Sequence, residues 1–135
     1  MTTLNPDRGL YRLTVTSRGE VVISDNLMRH PGGPPLQHGR VAFCQGRLPR
    51  TRTVYLSVQD DTMVAGNPQG FFVGGFRSDD FGGHWTPLPA MNAIVNADGG
   101  GQTAYDLIIA VDPQQSWRVY AAQQQLWRSL TSGST

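Results

Sequence analysis

The stretch Ser78-Asp79-Asp80-Phe81-Gly82-Gly83-His84-Trp85 gathers a hydroxyl, two carboxylates, an imidazole and an indole within eight residues. Such a set can hold a catalytic acid in a glycine-rich loop, a metal ligand, or a carefully made turn. The turn asks for every residue type present. A short oxygen at Ser78 and a carboxylate at Asp80 can accept from backbone N–H groups inside the loop. Gly82 can take the positive φ of a tight turn, and Gly83 adds further freedom. Trp85 can then return to a strand and cover the turn with its apolar face. No substrate is needed to explain any of them.

Other acids offer a second chemistry. Hydrolysis of a glycosidic bond with inversion needs two carboxylates flanking a cleft. Asp60-Asp61 follows an apolar run and Asp106 precedes one, so these are the acidic candidates; a solvated turn and a strand-entry hydrogen bond are their plainer readings. Asp112-Pro113 reads as a turn. His30, His38 and His84 lack metal-type spacing and read as surface residues, so no metal is expected. The run Asp98-Gly-Gly-Gly101 does not sit between a strand and a helix, which weakens a phosphate-binding reading. No cofactor is implied. Cys44 is the only cysteine, which excludes an intrachain disulfide and a cysteine-based zinc site. In the apolar run Val41-Ala42-Phe43-Cys44 it reads as a small buried hydrophobe.

These groups must be positioned by strands. The chain has 135 residues, 39% hydrophobic and 16% charged, enough for one ordinary domain with a modest core. Sixteen glycines and nine prolines point to many turns and short elements. The net charge of +1 gives no field that would recruit nucleic acid or an anionic membrane. All eleven basic residues are arginine, which we read as a bias of genome composition. No apolar run reaches the roughly eighteen residues of a membrane span. The first ten residues lack the basic and long apolar regions of a signal peptide. No Asn-x-Ser/Thr acceptor is present.

Runs rich in β-branched and aromatic residues recur, and helix signals do not. They are Leu10–Thr16, Glu20–Ser24, Arg40–Cys44, Thr53–Val58, Gly70–Val73, Phe76–Ser78, Trp85–Leu88, Leu107–Val111, Arg118–Ala122 and Leu126–Ser129. The fold class read from them is all-β. The order also repeats. Arg40-Val-Ala-Phe, a loop, Thr53-Val-Tyr-Leu and Phe76-Arg-Ser78 make one series; Leu107–Pro113, a loop, Arg118-Val-Tyr-Ala and Leu126-Trp-Arg-Ser129 make a second. Ser129, Thr131 and Gly133 repeat the spacing of Ser78, Asp80 and Gly82, with Thr131 in place of the acid.

Repeats of short antiparallel strands are the mark of propeller blades. The pattern Ser-x-Asp-x-Gly-x-x-Trp at Ser78, Asp80, Gly82 and Trp85 resembles the Asp-box, or BNR repeat, of sialidase-like β-propellers. From about Gly39 onward the chain is similar to the xyloglucanase-like and sortilin-like members of that superfamily. The resemblance implies antiparallel four-stranded β-propeller blades: one full blade at 39–89 and two partial ones. Residues 1–38 would hold the end of a preceding blade and a linker, 90–105 a long inter-blade loop, and 106–135 the next, truncated blade. Closed propellers have about four to eight blades, so the expectation is a segment of a larger propeller, from a secreted or cell-envelope protein, whose partners are its remaining blades.

The resemblance makes Ser78, Asp80, Gly82 and Trp85 structural, at the blade periphery, and Ser129, Thr131 and Gly133 a degenerate second box. It also implies either a non-catalytic scaffold that binds glycan or protein, or part of a glycoside hydrolase acting on polysaccharide or sialoside. Arg47-Leu48-Pro49 faintly resembles the arginine motif with which sialidases hold a carboxylate. The single glutamate, Glu20, falls in an outer strand, where a tyrosine–glutamate pair is hard to assemble. The loops Gln59–Gly70 and Met91–Tyr105 are longer than hairpins need and are the sensible places for ligand contact.

Overall fold

The computed structural model describes residues 9–35, 39–47, 51–60, 63–64, 67–68, 72–97 and 106–133. Its strands are β1 (Leu13–Val15), β2 (Val21–Ile23), β3 (Val41–Gln45), β4 (Val54–Gln59), β5 (Met63–Val64), β6 (Asn67–Pro68), β7 (Phe72–Ser78), β8 (Thr86–Pro87), β9 (Ile108–Val111), β10 (Val119–Ala122) and β11 (Leu126–Ser129). Every pairing is antiparallel. One sheet has four strands in the order β3-β4-β7-β8, another has three in the order β11-β10-β9, and β1-β2 and β5-β6 are two-stranded hairpins. None of these sheets closes on itself.

The four-stranded sheet is the centre of the molecule, because both of its faces are covered. All six residues of β4 are buried. Strand alternation sends Tyr55 to one side and Val54, Leu56 and Val58 to the other. Tyr55 joins Phe72, Leu88, Met91, Leu107, Ile109, Val119 and Ala121 in a cluster shared with the three-stranded sheet. The Tyr55 hydroxyl donates to the Ser116 carbonyl at 2.7 Å and ties the two sheets together. Val54, Leu56 and Val58 pack with Met28, Phe76 and Trp85, and Leu10 and Phe81 lie against that cluster. The second face is thus covered by the segment after β2, which passes through a 3₁₀ turn at Leu27–Arg29.

Three expectations need correction. Gly70–Val73 and Phe76–Ser78 read as separate runs, but Phe72–Ser78 is one strand, carried through Gly74 and Gly75. The loop Gln59–Gly70 contains the small hairpin β5-β6. The segment expected as an inter-blade loop begins as a helix, α1 (Pro89–Ala97). Pro89 at the first helical position is pre-set for φ, and alanine and methionine follow it, so the start is favourable. Glycine at position 75 lets the helix approach: a Cβ there would lie 2.5 Å from Met91 Sδ. Asn92 Oδ1 accepts from the Gly75 N–H at 3.2 Å, which fixes α1 on β7.

Among the described residues no helix is long and apolar enough to cross a membrane.

Candidate functional site

Ser78 ends β7 and is 1% exposed. Its Oγ accepts from the Gly82 N–H at 2.7 Å and from the Asp80 N–H at 3.3 Å, and donates to Asp80 Oδ1 at 2.8 Å. Asp80 Oδ1 also accepts from the His84 N–H at 2.9 Å, while Oδ2 lies 2.7 Å from His84 Nδ1. Two residues make the sharp reversal: Phe81 at φ 60° and Gly82 at φ 88°. Phe81 N–H donates to the Arg52 carbonyl at 3.0 Å, which pins the turn to the start of β4. Asp79 accepts from Thr53 Oγ1 at 2.9 Å and from Arg77 Nε at 3.0 Å.

Trp85 closes the turn from the apolar side. Its indole N–H donates to the Leu27 carbonyl and its backbone N–H to the Pro31 carbonyl, both at 2.8 Å. His30, from the same covering segment, puts Nδ1 2.6 Å from the Gly82 carbonyl oxygen and Nε2 3.0 Å from Asp25 Oδ2.

Ser78, Asp80 and His84 are the residue types of a hydrolase triad, but the order of bonds is wrong for one. A nucleophilic hydroxyl must donate to the imidazole that takes its proton; Ser78 donates to the carboxylate, and the carboxylate stands between it and His84. Asp80 is held well below its ordinary value of 3.8 by the bond to the His84 ring first, then by the His84 amide and the Ser78 hydroxyl. A carboxyl so stabilised as an anion is a poor proton donor at neutral pH.

The backbone pattern recurs. Ser129 Oγ accepts from the Gly133 N–H at 2.9 Å and the Thr131 N–H at 3.2 Å, and lies 3.3 Å from Thr131 Oγ1. Ser132 and Gly133 have φ of 59° and 82°, matching Phe81 and Gly82. Ser132 N–H donates to the Trp117 carbonyl at 2.8 Å, as Phe81 does to Arg52. Strand register repeats with it: Val54, Tyr55 and Leu56 face Ser78, Arg77 and Phe76, and Val119, Tyr120 and Ala121 face Ser129, Arg128 and Trp127. A third hydroxyl behaves in part the same way. Thr16 Oγ1 accepts from the Arg18 N–H at 3.3 Å and the Glu20 N–H at 3.1 Å in the β1-β2 turn, where Gly19 has φ 82°. Sequence reading overlooked Thr16; its signal is a strand-ending hydroxyl followed within a few residues by glycine.

The other candidates lie apart from the turn. Arg47 is exposed just after β3, and Leu48 and Pro49 lie outside the described residues. Asp60 is half-buried after β4, and the Asp60 carbonyl lies against Gly39. Register puts Val54 beside Gln45 and Ser78, so Arg47 sits at the turn end of the sheet and Asp60 at the other, a strand length of roughly 20 Å at about 3.3 Å per residue. Asp106, half-buried before β9, is likewise at the end of its sheet away from Ser129. Asp61 and His38 lie outside the described residues. Burial pushes the Cys44 thiol up to about 12, so it is no nucleophile at neutral pH. Asp112 accepts from the N–H groups of Gln114 and Gln115 and pairs with Arg118 at 3.1 Å, as a turn residue does. Among the described residues no group of three or more His, Cys, Asp or Glu is placed to hold a metal ion.

Beside the first turn a cleft of about 300 Å³ opens between β1 and the β3-β4 strands. Tyr11, Phe43 and Phe81 line it with Leu13, and Arg12 and Gln45 supply its polar groups. Compared with family models, curated proteins and solved structures, the chain matches none.

Proposed function

We propose that this chain is a segment of an Asp-box β-propeller that serves as a glycan-binding scaffold, with the serine turns as structural staples. The observation that carries the reading is the recurrence of one turn in two places. Ser78 and Ser129 accept from the amides two and four residues on, a pair of positive-φ residues follows at the same offsets, and both turns close sheets of the same register. A catalytic loop has no reason to be duplicated with its acid replaced by threonine. A structural turn has, because the serine alone satisfies the two amides in each copy.

The cleft suits a sugar. Aromatic faces take the C–H faces of a pyranose ring, and a few polar groups fix its hydroxyls. Tyr11, Phe43 and Phe81 provide the first; Arg12 and Gln45 provide the second. The reading is tested by titrating the chain with a xyloglucan oligosaccharide and with a sialoside. NMR would follow the Phe43 and Phe81 ring signals while released sugar is assayed. Saturable shifts without hydrolysis support the scaffold, and Phe43→Ala should abolish them. Turnover lost on Asp60→Asn or Asp106→Asn would put a glycoside hydrolase in its place. Silence towards both sugars would remove the glycan assignment and leave a protein ligand to be sought.

A further inference from the structure

His30 stands between two acceptors, the Gly82 carbonyl oxygen at Nδ1 and Asp25 Oδ2 at Nε2. Neither a carbonyl oxygen nor an ionised carboxylate has a proton to give, so both contacts need an N–H on the ring side. Neutral imidazole carries one N–H and imidazolium carries two. The geometry is therefore complete only for the protonated ring.

We propose that His30 is a pH-operated clasp: protonated, it ties the Asp25–Gly33 segment to the serine turn, and on losing its proton it releases one tie and loosens the N-terminal hairpin. The segment it holds supplies the Leu27 and Pro31 carbonyls that receive both N–H groups of Trp85. The same segment anchors the hairpin, since Leu27 N–H donates to the Leu10 carbonyl. Every residue of β1 and β2 is exposed, so the hairpin's own strands add little buried surface to hold it.

The charged groups facing the ring are Asp25 from its own segment and Asp80 from the turn, and both are negative. The bond to Asp25 is the largest influence, burial opposes it, and the Gly82 carbonyl and the charges of Asp25 and Asp80 add to it; the net effect raises His30 above its ordinary 6.5. A raised folded-state value means the clasp is fully engaged below the unfolded-state value. It is lost as pH rises through the folded one.

The test is an NMR titration of the 135-residue chain, with hydrogen-exchange protection factors measured at each pH. The His30 midpoint should lie above that of a histidine in an unstructured peptide. Protection of the Leu27 amide, the Trp85 indole and the β1-β2 amides should fall through that same midpoint, while the β9-β10 amides stay protected. Asp25→Asn should lower the midpoint. His30→Gln should show no such step between about pH 6 and 9. A midpoint at or below the ordinary value, unchanged protection across it, or a step that survives His30→Gln would each overturn the clasp. Were His30→Gln to unfold, the wild-type titration and the Asp25→Asn shift would still decide.

Discussion

Within the serine turn the hydroxyl carries more than the acid. Ser78 Oγ is buried and satisfies two amides, one of them the buried Gly82 N–H. Ser78→Ala leaves those donors without an acceptor and should cost about 1–3 kcal/mol in denaturant unfolding. Asp80 has a side chain 43% exposed, and water can replace it at the His84 amide. Asp80→Ala should therefore cost less, about 1 kcal/mol at most. An Asp80 variant that loses more stability than the Ser78 variant would reverse this ranking. The acid also sets a pH limb. Its folded value is depressed, so its contribution is present above 3.8 and is lost as pH falls towards the folded value. Asp80→Asn should flatten that acid limb of a stability-against-pH curve, and the wild-type limb should shrink at high salt. The spacing of Ser78, Asp80 and Gly82 could be read from the sequence because the bonds that join them are local, within a few residues. Trp85 could be read as their apolar cover, although its partners lie far away in the chain. The roles of His30 and His84 could not. His30 meets Gly82 across 52 positions, and His84 pairs with an acid that already had two other uses.

The turn matters to the elements as a seam between the four-stranded sheet and the segment that covers it. Trp85 is 5% exposed, and its indole N–H reaches a buried carbonyl 58 positions away. Trp85→Phe keeps most of the ring but removes one of two donors to the Leu27 carbonyl, which keeps the His30 N–H at 3.2 Å, for about 1 kcal/mol. Exchange protection should drop in the segment Asp25–Gly33 more than in β9-β10, and equal losses in both would argue against a seam. Gly82→Ala strains a positive φ and brings a Cβ within 3.1 Å of the Leu27 side chain, so about 1–2 kcal/mol should be lost. The strands were readable because β-branched and aromatic runs between glycines and prolines fix them locally. Helix α1 was not. Its stability comes from Met91 in the shared core and from Asn92 on the Gly75 amide, contacts that exist only once β7 is in place.

Across the whole molecule the burial is lopsided. Leu56 and Val58 are fully buried, yet Leu13, Val15, Val21 and Ile23 are between 61% and 68% exposed, and Leu126 of β11 is 72% exposed. β1 and β11 each have one hydrogen-bonded neighbour, so apolar side chains and an open strand edge coincide at both ends of the described chain. Contiguous apolar surface on an open edge is a template for association. Its energetic weight is considerable, because apolar area removed from water contributes about 25 cal/mol per Å². The chain should therefore self-associate as its concentration rises, with sedimentation coefficients climbing and no sharp stoichiometry. Replacing Leu13, Val15, Val21 and Ile23 together by threonine keeps the strand preference and removes most of the apolar surface. That variant should sediment as a monomer with the β4 core intact. If the parent chain is itself monomeric at every concentration reached, the exposed faces are not adhesive. If the variant associates as strongly as the parent, the edge of β11 rather than the β1-β2 hairpin is the adhesive one, and the same substitution at Leu126 should then disperse it.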